Sequence, residues 1–238
     1  MGRNKRIQVA DMLVHVTARG NLRRDIFLSL DDRTAFLGFV AYACEVDGLI
    51  CHAFCLMTNH YHLLLETPEA NLAKAMHRIN CLYANRFNRV YQTEGHVFER
   101  PYRSWVVRDD RRGMVSVRYI VRNPIAAGLC KAPEHWKWSS HAATVGLEPR
   151  PAFLTTERVL GWFGGRDEAP GRYRAFVDAA VDQTSGRPSL EVLLRSGLFR
   201  DAVEAHDRYG YRLREIAPHI GVSPATLCRR LRSLRASY

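Results

Sequence analysis

The sequence predicts an α+β fold: an antiparallel sheet flanked by helices, followed by an all-helical C-terminal module. Three observations predict it. Residues 12–17, 49–56 and 57–66 and a stretch ending at Val107 are short, rich in residues that suit a pleated surface, and partly alternating, as strands are. Two long segments of helical period, 31–47 and about 71–91, fall between them. Near the C-terminus, residues 213–217 and 223–231 read as two short helices around Gly221, a helix-turn-helix pattern.

Taken in order, residues 1–6 are basic and no apolar signal core follows, so no secretory leader is expected. Met12-Leu13-Val14-His15-Val16-Thr17 alternates as a first strand, and Ala18-Arg19-Gly20-Asn21 reads as a loop. His15 could neighbour other histidines across the sheet, but it is read as a packed residue outside the site. Asp31-Asp32 opens a helix that runs to about Asp47, with Phe36, Phe39, Val40, Ala43 and Cys44 inward and Gly48 as its stop.

Residues 49–56 form a nearly continuous apolar strand. The short Met57-Thr58-Asn59 connection returns it as His60-Tyr61-His62-Leu63-Leu64-Leu65-Glu66, so the two strands should pair antiparallel at the sheet centre. Pro68-Glu69-Ala70-Asn71 then caps a helix to about Tyr91. Its buried stripe is Leu72, Met76, Ile79, Leu82, Tyr83 and Phe87; the opposite face carries Lys74, Arg78, Asn80, Asn85, Arg86 and Arg89, a solvated surface or one that tracks phosphates. Asp109 caps a further helix through Arg118, Tyr119 and Arg122, which should end where Asn123 meets Pro124.

The chemistry gathers on two of these elements. Side chains two apart on a strand share a face, so His60 and His62 project together and could share one divalent cation with open positions for a phosphate oxygen and water. A His-x-His pair on a half-buried strand does not settle the matter alone. Tyr119 adds a candidate nucleophile, one that needs a metal-activated phosphate or a base to act near neutral pH. Asn123, four residues on, shares its helix face. In residues 95–107, Arg100, Tyr102 and Arg103 interleave charge with aromatic surface, which reads either as a grip on single-stranded nucleic acid or as core aromatics beside solvated arginines.

The composition agrees with a polyanionic partner. The 238 residues carry a formal charge of +11, and all but four of their 35 basic side chains are arginine. No apolar run reaches membrane-spanning length, and six cysteines without a Cys-x-x-Cys pair argue for a reduced cytoplasmic protein rather than a disulfide or zinc framework. From Pro149 to Pro188 the composition loosens around short helical patches at 155–163 and 173–181, with a linker near 184–188. Three regions result: 1–147, a helical extension and linker at 148–188, and the helix-turn-helix module at 189–238. In that module Ser223 caps the second helix with Pro224 at its first position, and Thr226, Arg229 and Arg230 are the candidate duplex contacts.

Residues 57–66 (MTNHYHLLLE), 95–104 (GHVFERPYRS), 119–129 (YIVRNPIAAGL) and 136–141 (WKWSSH) together resemble the REP-associated tyrosine transposases, within the wider HUH single-strand endonucleases. The resemblance spans about residues 7–147. It implies a ferredoxin-like HUH fold, His60 and His62 as paired ligands of Mg²⁺ or Mn²⁺, Asn123 completing the sphere, and Tyr119 as the nucleophile. It further implies cleavage and rejoining of single-stranded DNA near REP-like hairpins through a 5′-phosphotyrosine, with Arg118 and Arg122 among the DNA contacts. The partner would be hairpin DNA, with no membrane and no small-molecule substrate; the protein would be a monomer or homodimer, cytoplasmic and nucleoid-associated in a bacterial cell. Thr58 stands where proline is usual, and residues 123–127 lack an arginine common after Asn-Pro, which bears on substrate choice. A non-cleaving DNA-binding regulator, or a hydrolytic nuclease that uses water, would fit the same residues.

Overall fold

A computed structural model describes residues 10–179, 188–194, 199–209 and 211–236. The chain divides into two compact units after Ala179. In the first, β1 (Met12–Arg19), β2 (Ile50–Leu56), β3 (His60–Thr67) and β4 (Arg103–Val106) form one antiparallel sheet in the order β2-β3-β1-β4. β2 and β3 pair as expected, but the sheet centre is β3 beside β1, and β2 lies outermost. β1 also runs two residues further than its alternation suggested. Ala18 and Arg19 pair with Tyr61 and His60, and Glu99 N–H donates to Arg19 O (2.9 Å), so they are strand rather than loop.

Helices α1 (Leu30–Asp47) and α2 (Leu72–Tyr91) cover one face, meeting Val14, Val16, Leu63 and Leu65 with Phe36, Val40, Met76, Ile79 and Tyr83. α1 starts one residue before the predicted Asp31, behind a capping box: Ser29 Oγ accepts from Asp32 N–H (3.1 Å) and Asp32 accepts from Ser29 N–H (3.0 Å). Asn71 stands at the N-cap of α2 but makes no cap; its amide donates to Asp47 O (2.7 Å), tying the two helices together. The polar face of α2 is more occupied than its composition suggests. Arg78 pairs with the buried Asp47 (2.8 Å), offsetting an acid at a helix C-terminus, and Arg86 pairs with the buried Asp32 (2.6 Å). Asn80 is buried, accepting from Tyr61 Oη (2.7 Å) and donating to Pro101 O.

The other face is covered by α3 (Asp110–Ala126), whose Val117, Ile120 and Val121 meet Leu13, Cys55 and Leu64. Asp109 caps it as expected (Oδ1 from Arg112 N–H, 2.8 Å). Asn123-Pro124 does not end it. Proline there removes one N–H, and the helix closes a turn later, with Gly128 N–H donating to Ile125 O (2.9 Å) and Leu129 N–H to Pro124 O (2.8 Å), a Schellman pair.

The extension belongs to this unit. After the short α4 (His141–Thr144), α5 (Glu157–Gly161) and α6 (Ala169–Asp178) add Val159, Tyr173 and Val177 to the core beneath α3. Backbone from the same region seals the outer edge of β2: Leu56 N–H donates to Trp138 O (2.8 Å), Ser140 N–H to Phe54 O (3.0 Å) and Thr155 N–H to Cys51 O (2.8 Å). The expected linker at 184–188 lies, except for Pro188, outside the described residues.

The second unit holds α7 (Leu190–Leu193), α8 (Phe199–Asp207), α9 (Leu213–Ile216) and α10 (Pro224–Ala236). Ile216, Ala217, Leu227 and Leu231 form its buried centre with Ala202 and Ala205. Gly221 (φ 66) turns the chain between α9 and α10 in the left-handed region, and Ser223 Oγ accepts from Thr226 N–H (3.1 Å) at the start of α10. Among the described residues no helix is long and apolar enough to cross a membrane.

Candidate nuclease site

The face of the sheet beneath α3 carries a cross-strand grid. The β1–β3 and β1–β4 registers place Arg19 opposite His60, Thr17 opposite both His62 and Arg103, and His15 opposite both Leu64 and Trp105. Strand alternation puts these side chains on the α3 side and sends Tyr61, Leu63 and Leu65 into the other core. The rings of His60 and His62 lie 5.0 Å apart. From α3, the half-buried Tyr119 ring stands edge-on to His62 at 5.5 Å and to His15 at 5.9 Å. Two histidines and a tyrosine 57 residues further along the chain are thereby brought to one place.

Hydrogen bonds fix which imidazole nitrogens face outward. Asn59 Nδ2 donates to Arg23 O (3.0 Å), which orients the amide and leaves its Oδ1 2.7 Å from His60 Nδ1. An amide oxygen only accepts, so Nδ1 bears the proton and Nε2 the lone pair. Burial first, then the Arg19 charge, pushes the His60 pKa down to about 4, so its imidazole is neutral near pH 7. His62 Nδ1 lies 2.9 Å from Nε2 of the fully buried His15, which holds the ring from behind. Asn123 donates Nδ2 to Tyr119 O (2.7 Å), leaving its carbonyl oxygen outside that bond. Among the described residues no group of three or more His, Cys, Asp or Glu could hold a metal ion. Of the expected ligands the structure brings the His60 and His62 rings together, a pair that suits a divalent cation with open positions, while Asn123 lies four residues beyond Tyr119 on α3.

The expected DNA-contacting residues divide. Arg100 and Arg103 are exposed, Arg100 within 3.6 Å of Glu99. Tyr102 instead packs half-buried against the α1–α2 core. Arg118 and Arg122 have partners within the first unit: Arg118 lies over the Phe176 ring (4.3 Å), and Arg122 donates to Val177 O (2.7 Å), at the C-terminal end of α6. In the second unit Arg229 is exposed, Thr226 lies beside the Ser223 cap, and Arg230 sits over the Phe199 ring at 4.5 Å. Sequence reasoning missed His15, Arg19, Asn59 and Trp105. Alternation carried the signal for His15, since Val14 and Val16 take the inward face and so place it on the other.

Comparison with known proteins bears on the same segment. Residues 8–123 match the family described as IS200-like transposases. A protein of Haemophilus influenzae provisionally named a REP-associated tyrosine transposase is 27% identical, over 45% of this chain and 68% of its own length. A solved structure of a REP-associated tyrosine transposase bound to a REP hairpin shares the fold, with a TM-score of 0.53 at 18% identity over 63% of this chain and 89% of that one. The paired histidines of β3 and the tyrosine of α3 both fall within the segment, residues 8–123, that is similar to the IS200-like transposases.

Proposed function

We propose that this protein cuts and rejoins single-stranded DNA beside a REP-like hairpin by transesterification at Tyr119. The observation that carries the reading is the Tyr119 ring held edge-on at 5.5 Å from His62, beside His60. His60, His62 and the Asn123 oxygen would hold Mg²⁺ or Mn²⁺, which when bound polarises the scissile phosphate. Tyr119 Oη attacks phosphorus, its proton passing to solvent. A bond forms between the tyrosine oxygen and the 5′-phosphate, the bond from phosphorus to the 3′-oxygen breaks, and that oxygen leaves as a 3′-hydroxyl after taking up a proton. A returning 3′-hydroxyl reverses the sequence, so the energy of the phosphodiester is kept and no nucleotide cofactor is consumed. Arg19 and Arg103, exposed on either side of this row, would steady the flanking phosphates. In the second unit, α10 would offer Thr226 and Arg229 to the duplex stem as a helix-turn-helix reader.

The test is incubation with labelled single-stranded hairpin pools and Mn²⁺. A denaturation-resistant protein–DNA adduct is expected, and it should disappear with EDTA. Cleavage without an adduct would replace this reading by a hydrolytic nuclease, and hairpin binding without cleavage by a regulator. His15 supplies a second prediction: His15→Ala should weaken Mn²⁺ binding, followed by calorimetry, by about 10- to 100-fold, the usual effect of losing the partner that orients a ligating imidazole. Unchanged affinity would make His15 a packing residue only.

A further inference from the structure

Beside the site, the turn at residues 20–24 carries backbone strain for side chains that the fold does not use. Leu22 (φ 53, ψ 24) and Arg23 (φ 60) both lie in the left-handed region, where a Cβ is crowded and glycine or asparagine is more at ease. Yet Leu22 is 75% exposed, and Asn21, Arg23 and Arg24 are exposed with it. Nothing in the turn is loose. Gly20 N–H donates to Asn59 O (2.8 Å), Arg24 N–H to Asn21 O (3.0 Å), and Ile26 N–H to Thr58 O (3.0 Å). A Cβ at Gly20 would lie 2.1 Å from Arg24 O, so only glycine lets the chain fold back this closely. The result is a rigid knuckle with an apolar tip, flanked by Arg19, Arg23 and Arg24, and by Asp25 as the neighbouring acid. Asn59 joins it to the site, holding Arg23 O with one amide atom and His60 Nδ1 with the other.

We propose that this knuckle is the docking surface for DNA at the junction of hairpin stem and single strand, with Leu22 covering the face of the last base pair and Arg23 and Arg24 taking adjoining phosphates. The inference rests on the DNA-hairpin reading above and adds where the junction sits. The last base pair of a stem presents a flat apolar face bordered by phosphates. A fixed apolar side chain between guanidinium groups complements it, and a turn already rigid has little ordering entropy left to lose on binding. Asn59 would carry the docked state to the His60 ring, so a correctly seated junction and a correctly oriented ligand coincide.

The experiment uses the full chain in a Tyr119→Phe background, so that binding is read without cleavage. Its probe is the hairpin that the native chain selects from a library randomised in stem and flanks, with 2-aminopurine at the first unpaired position. Leu22→Gly and Leu22→Asn both suit the left-handed backbone, so both should fold with thermal stability equal to or above that of the parent. Hairpin affinity should nonetheless fall about 10-fold, and the 2-aminopurine signal on binding should be lost. Parent-like affinity and signal in both variants would overturn the inference and leave the knuckle a structural turn. Selection of a hairpin with a normal junction signal but no adduct from the native chain would remove the tyrosine chemistry and leave the docking surface standing. A library that yields no hairpin would remove both.

Discussion

Tyr119→Phe should lose every trace of the covalent adduct, and strand cleavage should fall by at least roughly 10⁴-fold, the scale on which removal of a covalent nucleophile acts. The substitution deletes one oxygen and keeps the ring. The edge-on contacts to His62 and His15 are ring contacts, so the fold and the imidazole positions should survive, and hairpin affinity should stay within about two-fold. The separation of the two effects is the informative part. A variant that still cleaves at the native rate would assign the attack to water, and one that neither binds nor cleaves would assign Tyr119 to the architecture. Gel analysis of labelled DNA after denaturation, beside a binding titration, distinguishes these results.

The second large effect is on stability. Asp32→Ala should cost about 3–5 kcal/mol, the range for breaking a buried charge pair, read as a shift in urea midpoint at unchanged slope. Asp32 is fully buried and accepts from Leu28 N–H (2.9 Å), Ser29 N–H (3.0 Å), Arg86 (2.6 Å) and Tyr91 Oη (2.6 Å). Its loss removes the carboxylate half of the α1 capping box, leaving the Ser29 Oγ bond in place, and strands the Arg86 guanidinium at the same stroke. Burial works to raise the Asp32 pKa, but the Tyr91, Arg86 and backbone hydrogen bonds together hold it below the ordinary value. The sign follows: the carboxylate contributes fully above the unfolded value near 4, and the contribution is lost as pH falls below it. The gap between parent and variant should therefore narrow in acid. A gap constant from pH 7 to pH 3 would mean that the lost stability comes from packing rather than charge.

How much of this was legible in the sequence follows the range of the interactions. The strands around His60 and His62, the caps at Asp109 and Ser223 and the stop at Gly48 are local, and period and residue type determine them. The order of the sheet was not legible, because apolar β2 looks like a central strand whether its outer edge meets another strand or the backbone of residues 138–155. The partners of Arg118 and Arg122 were not legible for the same reason. Their partners, Phe176 and Val177, lie more than fifty residues away, and an arginine bonded to a helix end reads in sequence like one waiting for phosphate. Asn80 looked solvated because helical period placed it beside lysine and arginine, whereas Tyr61 and Pro101 draw it inward. His15 was visible by alternation, but only the register set it against His62.

The sealing of β2 bears on how such a protein can be rearranged. The family match ends at residue 123, three residues before α3 does, while the backbone that closes the sheet edge arrives at 138–155 and the support beneath α3 at 157–178. The matched segment and the folded unit therefore differ in extent. A chimaera spliced at 123 would present a bare apolar strand edge to its neighbours and would aggregate before its chemistry could be judged. To graft this site onto another protein, the extension through Ala179 has to travel with it.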